Sequence, residues 1–188
     1  MGKLKHFISY ICIRTISFPI SFMPYSWIHQ LGRALGSLGY YIDRYHRKRV
    51  LNNLNIAKEL VLSQLEKEKV AKESFQNLAI STLEYFRLLG SKDCLEEIVS
   101  SENFDEFDRV YKMGKGAIVA CSHISNWEVC FLEITKHWKG TAVGRPIKNT
   151  YLYDFILSIR QMNRGTVIPP KKALSAGLKA LKEGEFLG

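Results

Sequence analysis

From residue 112 onward the chain alternates short apolar runs with amphipathic stretches, and this alternation constrains the fold more than any other feature. Gly114-Lys115-Gly116 reads as a turn, and Ala117-Ile118-Val119-Ala120-Cys121 after it as a buried strand. Asn126 to Trp138 reads as a helix closed by Gly140, and Thr141-Ala142-Val143 as a second strand. Asn149 is placed to cap a helix running to Arg164, with Gly165 at its C-terminal cap position. Thr166-Val167-Ile168 is a third strand stopped by Pro169-Pro170, Lys172 to Glu183 a further helix, and Phe186 the start of a fourth strand. Strands separated by helices pair in parallel through crossovers, so the expected fold class is α/β, a mainly parallel central sheet flanked by helices. Ligands of such sheets bind beyond the carboxyl ends of the strands, which is where the chemistry is to be sought.

Upstream the texture is helical. Ser63-Gln64-Leu65-Glu66 is a capping box, and Ala71, Phe75, Leu78, Ala79, Thr82, Phe86 and Leu89 follow it on one helical face up to Gly90. That stripe reads as core packing. Phe7 to Phe22 is mostly apolar, but Arg14 sits in its middle, and Pro19 and Pro24 interrupt it. Its 16 residues fall short of the ~20 that a helix needs to cross a bilayer, and no small-residue cleavage site follows. The segment is expected to be an N-terminal membrane-anchor helix, spanning marginally or lying in the interface, with Tyr25, Trp27, Tyr40 and Tyr41 as interfacial aromatics. Gly32 and Gly36 form a GxxxG that lets helices approach closely. The expected organisation is an anchor over residues 1–30, a helical scaffold over 31–110, and an α/β catalytic region over 111–188.

Charge follows the same division. Residues 1–50, 51–110 and 111–188 carry balances of +7, −5 and +7, within a net charge of +9. An acidic middle third argues against a nucleic-acid binder. Arg44, Arg47, Lys48 and Arg49 directly follow the apolar N-terminus, as a polybasic segment facing anionic headgroups would; the alternative is a solvated helix end. Four cysteines without CxxC spacing point to a reducing compartment.

The strand-end rule selects Cys121-Ser122-His123-Ile124-Ser125-Asn126-Trp127-Glu128. His123 follows the first strand and Glu128 falls in the first turn of the next helix. A histidine can act as general base near neutral pH, and a carboxylate in reach orients its ring and stabilises the imidazolium. Two other readings stay open: Ser125-x-x-Glu128 also fits a capping box, and a histidine at a strand end is often structural. Ser122 next to His123 makes no nucleophile–base pair, since neighbours there point opposite ways. No metal site is expected, because HExxH and a second ligand at zinc spacing are lacking. Neither phosphate-loop nor dinucleotide glycine motifs follow a strand.

Ser122-His123-Ile124-Ser125-Asn126-Trp127-Glu128 resembles the H-x-x-N-W-E form of the HxxxxD/E motif in the bacterial lipid A biosynthesis acyltransferase family, the lauroyl and myristoyl transferases. Arg145-Pro146-Ile147-Lys148-Asn149 is similar to that family's R-P-x-K-N segment, and Gly165 to Pro169 to its G-x-x-x-I-P strand. Ala180-Leu181-Lys182-Glu183-Gly184 matches A-L-K-x-G, and Arg47 to Leu54 resembles R-R-x-V-x-x-N-L. The matches run in order through nearly the whole chain. The family continues past Gly188 into a further strand with a D-Q pair and more helix, so the resemblance implies a member incomplete at its C-terminus.

The resemblance implies a glycerolipid-acyltransferase-like fold and transfer of a fatty acyl chain from acyl carrier protein to a hydroxyl of an anionic glycolipid, a lipid A precursor. It places the reaction at the cytoplasmic face of the inner membrane. His123 and Glu128 would be catalytic, and Arg145, Lys148, Asn126 and Arg164 would bind substrate, with Arg160, Lys171 and Lys172 as weaker candidates. No cofactor is implied beyond the carrier-bound acyl chain, and no nucleic acid. A basic C-terminal third suits an acidic carrier and an anionic acceptor. The alternatives are another glycerolipid or glycolipid O-acyltransferase, or a non-catalytic membrane-associated binding fragment.

Overall fold

Four short strands, β1 (Ala117–Ile118), β2 (Gly140–Val143), β3 (Gly165–Ile168) and β4 (Phe186–Leu187), pair in parallel in the order β1-β4-β2-β3. The structure, a computed structural model, describes residues 2–57, 61–88, 94–122 and 126–188. His123, Ile124 and Ser125 therefore lie outside the described residues, as do Leu89 and Gly90, the expected end of the scaffold helix. The parallel sheet agrees with the expected fold class, but it is small and the described chain is mostly helical. The run expected as a five-residue first strand pairs over two residues, and one more bond, Val119 N to Leu187 O at 2.8 Å, extends it.

Among the described residues six helices precede the sheet: α1 (Gly2–Ile20), α2 (Tyr25–Ile42), α3 (Arg44–Ile56), α4 (Gln64–Arg87), α5 (Cys94–Ile98) and α6 (Phe104–Lys112). Helices α7 (Trp127–His137), α8 (Thr150–Arg160) and α9 (Ala173–Lys182) make the crossovers. Helix α4 starts as its sequence directs. The Ser63 hydroxyl accepts from Glu66 N–H, and the Glu66 carboxylate accepts from Ser63 N–H at 2.8 Å. The Asn149 side chain caps α8 by accepting from Leu152 N–H at 3.2 Å.

The end of α8 differs from expectation. It stops at Arg160, four residues early, and Gly165 opens β3 instead of capping the helix. Tertiary bonds pull the chain away: Arg164 N–H donates to Thr135 O at 3.0 Å and the Asn163 amide donates to Leu132 O at 3.2 Å, both on α7. Gly165 is needed for close approach, since a Cβ there would lie 2.8 Å from Arg160 O and 2.9 Å from the Phe131 ring.

Helices α2 and α4 pack along much of their length, and the GxxxG is the reason they can. A Cβ on Gly32 would fall 2.5 Å from the Ile80 side chain, and one on Gly36 2.3 Å from Gln76 Cα. One apolar cluster joins Ile20, Ile28 and Leu83. Another joins Leu88 and Leu95 to Val129, Leu132 and Ile159, so the start of the crossover region packs directly on the helical part.

Among the described residues no helix is long and apolar enough to cross a membrane. The transmembrane helix expected as one form of the anchor thus has no counterpart there. Lys3, Lys5 and Arg14 all fall within α1, and α1 packs against α4 and α8. The Arg14 guanidinium lies 4.3 Å from the Phe155 ring centre, a cation–π partner supplied by α8. The four aromatics expected at an interface also divide. Trp27 and Tyr41 are exposed, whereas Tyr40 is buried beneath Arg47 and Tyr25 turns inward to Glu84.

Candidate active site

Beyond the end of β1 the chain enters α7 with Asn126 at its N-cap and Glu128 in its first turn, where the helix dipole favours a negative charge. Glu128 is not left to solvent. Arg160, at the end of α8, grips it through two parallel bonds: Nε donates to Oε2 at 2.9 Å, and the terminal nitrogen donates to Oε1. Both side chains are about four-fifths buried, with 19% of Glu128 and 23% of Arg160 exposed. The carboxylate holds the guanidinium pKa above its ordinary value, hydrogen bonding being the largest cause. A two-point contact of this kind fixes the carboxylate plane as well as its position.

Tyr85 of α4 lies against the pair. Burial, then the Glu128 charge, push its hydroxyl pKa well up, so it stays protonated. These groups line an apolar groove of about 610 Å³ between α1, α4, α7 and α8, together with Ile13, Leu78, Phe86, Leu152 and Ile156. That volume falls in the ~300–1,000 Å³ range of small-molecule sites. The nearby Cys130 thiol is a poor nucleophile: burial, then Cys121, push it up to about 11, so it is protonated at neutral pH.

Asn126, expected to touch substrate, faces inward. Its amide donates to Ser81 O at 3.3 Å and to Glu84 Oε2 at 3.1 Å, and so does not cap α7. The sequence, the strand-end location and the paired carboxylate now stand together. The family model for bacterial lipid A biosynthesis acyltransferases matches residues 2–188. The chain belongs to that family. None of the curated proteins compared with the chain matches it. Membership makes the protein an acyltransferase of lipid A biosynthesis, with a lipid A-type acceptor.

The other candidates of this acyltransferase are spread over the sheet. Arg145 and Lys148 follow the carboxyl end of β2, exposed and without a partner among the described residues. Arg164 lies at the opposite end, just before β3, where its guanidinium donates to His137 O at 2.7 Å and closes the C-terminus of α7. The structure therefore does not bring Arg164 to Glu128. The residues that do reach the start of α7 are Arg160, Tyr85 and Glu84. Arg160 is the lone cation between Asn149 and Asn163, and Glu84 the lone carboxylate in the apolar run Ile80 to Phe86. A charge inside an otherwise apolar helical stretch is the signal that could have found both, because such a charge is buried only with a partner.

Proposed function

We propose that this protein transfers a fatty acyl chain from acyl carrier protein to a hydroxyl of a lipid A precursor, with His123 as general base and Glu128 as the carboxylate that orients it. The observation that carries the reading is the apolar groove lined by the Glu128–Arg160 pair at the start of α7. The groove takes the acyl chain, and its polar end lies beside the motif. His123 takes the proton of the acceptor hydroxyl as the oxygen attacks the thioester carbonyl. The tetrahedral intermediate collapses, the carrier's thiolate leaves, and the imidazolium returns the proton to the sulfur. Glu128, held in place by the two Arg160 bonds, stabilises the imidazolium in between. Backbone N–H groups of the first turn of α7 and the Arg145 guanidinium are the donors for the oxyanion. Arg145 and Lys148, exposed past β2, bind phosphate on the acceptor or on the carrier.

The surroundings support a position at the cytoplasmic face of the inner membrane. Helices α1 and α2 and the turn between them expose Leu4, Ile8, Phe18, Phe22, Trp27 and Tyr41, and Arg44, Lys48 and Arg49 are exposed on α3 next to them. Apolar side chains beside a basic cluster suit an interfacial contact with anionic lipid. In an acyl-transfer assay with acyl carrier protein as donor, His123→Ala and Glu128→Ala are each expected to lower kcat by about 10²–10⁴-fold. Retained transfer in both variants would sink the reading, and a purely binding role would show acceptor binding without any transfer.

A further inference from the structure

We infer that Glu84 is a positioning residue for the acyl-transfer motif, acting through Asn126; this rests on the reading of the motif given above. Glu84 is 6% exposed in the last turn of α4, and three side chains from two other segments converge on its carboxylate. Tyr25 of α2 donates its hydroxyl to Oε1 at 2.9 Å, His29 Nε2 lies 3.4 Å from the same oxygen, and the Asn126 amide donates to Oε2 at 3.1 Å. A buried carboxylate is retained only where its lone pairs are met, and here one of the bonds comes from the N-cap of the motif helix, 42 residues away.

The bond has a geometric consequence. An N-cap side chain ordinarily turns back to its own helix, and Asn126 does not. Its amide is spent on α4 instead, on Ser81 O and Glu84 together. The next residue of α4, Tyr85, lies against Glu128 and Arg160. Consecutive residues of one long helix thus flank the first turn of α7: Glu84 holds the entry at Asn126, and Tyr85, whose hydroxyl donates to Ile156 O at 3.4 Å, lies beside the Glu128–Arg160 pair. Because α4 is also locked to α2 at Gly32 and Gly36, the anchor for the motif is a rigid element and not a loop.

The test is Glu84→Leu, which keeps the bulk and removes both acceptors, beside Glu84→Gln. In the glutamine variant Oε1 can accept from Asn126 while Nε2 donates to the Tyr25 oxygen. Two readouts are taken on the full chain. Native-state hydrogen exchange is expected to quicken about tenfold at the first-turn amides of α7 in Glu84→Leu, with the amides near His137 unchanged. The kcat per folded molecule is expected to fall at least about tenfold with KM within threefold, and Glu84→Gln to recover most of both. Should Glu84→Leu fail to fold, Asn126→Ala carries the same readouts. Unaltered exchange at the start of α7 overturns the inference, as does unchanged kcat, or a glutamine variant as impaired as the leucine one. Glu128→Ala in the same preparation separates the two claims. If it is inactive while Glu84→Leu keeps its kcat, only the inference fails. If it is active, the motif reading fails, and the exchange data still judge the clamp.

Discussion

Arg160 and Glu128 stand 32 residues apart in the chain and meet through two parallel hydrogen bonds where the end of α8 passes the start of α7. The pairing gives the acidic residue of the motif a fixed plane and little water.

Replacing Arg160 with lysine keeps the charge and removes the two-point contact. The loss of one charge-assisted hydrogen bond is about 1.5–3 kcal/mol. Expressed at the transition state, that lowers kcat by about 10- to 150-fold. Steady-state acyl transfer by Arg160→Lys, with circular dichroism to confirm folding, checks this. Wild-type kcat would show that the geometry of the carboxylate is unimportant.

Gly36→Ala drives a methyl into the backbone of α4 at Gln76, where nothing flexible can yield. Overpacking of this kind is expected to destabilise by about 1–3 kcal/mol. A thermal melt should show it as a Tm lower by about 2–4 °C for each kcal/mol. Gly39→Ala is the control, because its methyl would meet only the Phe75 ring at 3.5 Å and a helical alanine is preferred to glycine. Equal melting of the two variants would contradict the α2–α4 contact.

Burial, then its bond to Glu84, push Tyr25 up to about 12 from an ordinary value of 10.0. The native state therefore keeps this proton at pH values where the unfolded chain loses it. The resulting stabilisation is complete below pH 10 and is lost as the pH rises through about 12. Denaturant melts across that window should show a decline that is shallower in Tyr25→Phe. An identical decline in both proteins would remove Tyr25 from the account.

An interfacial surface built from α1, α2 and the α3 basic cluster predicts binding to vesicles containing anionic lipid. Trp27, 60% exposed, should shift its emission to the blue on binding. Reversing Arg44 and Lys48 to glutamate should weaken partition by about 1 kcal/mol for each basic residue removed. Raised salt should do the same by screening. Neutral and anionic vesicles binding equally would refute the basic contribution.

What the sequence by itself determined is local or periodic. The alternation after residue 112 required parallel strands, Ser63 and Asn149 marked helix starts through bonds to amides three residues on, and two glycines four apart announced a close helix contact. The motif around Glu128 carries the resemblance to the family to which the chain belongs. Tertiary structure alone decided the partners. It paired Glu128 with Arg160 and Asn126 with Glu84, turned Tyr25 and Tyr40 inward, and sent Arg164 to the far end of α7. Caps, turns and periods depend on neighbours within a few residues, so sequence spacing encodes them. A contact between side chains 32 or 42 residues apart depends on how two helices cross and where each one stops, and those are settled only when their apolar faces pack together.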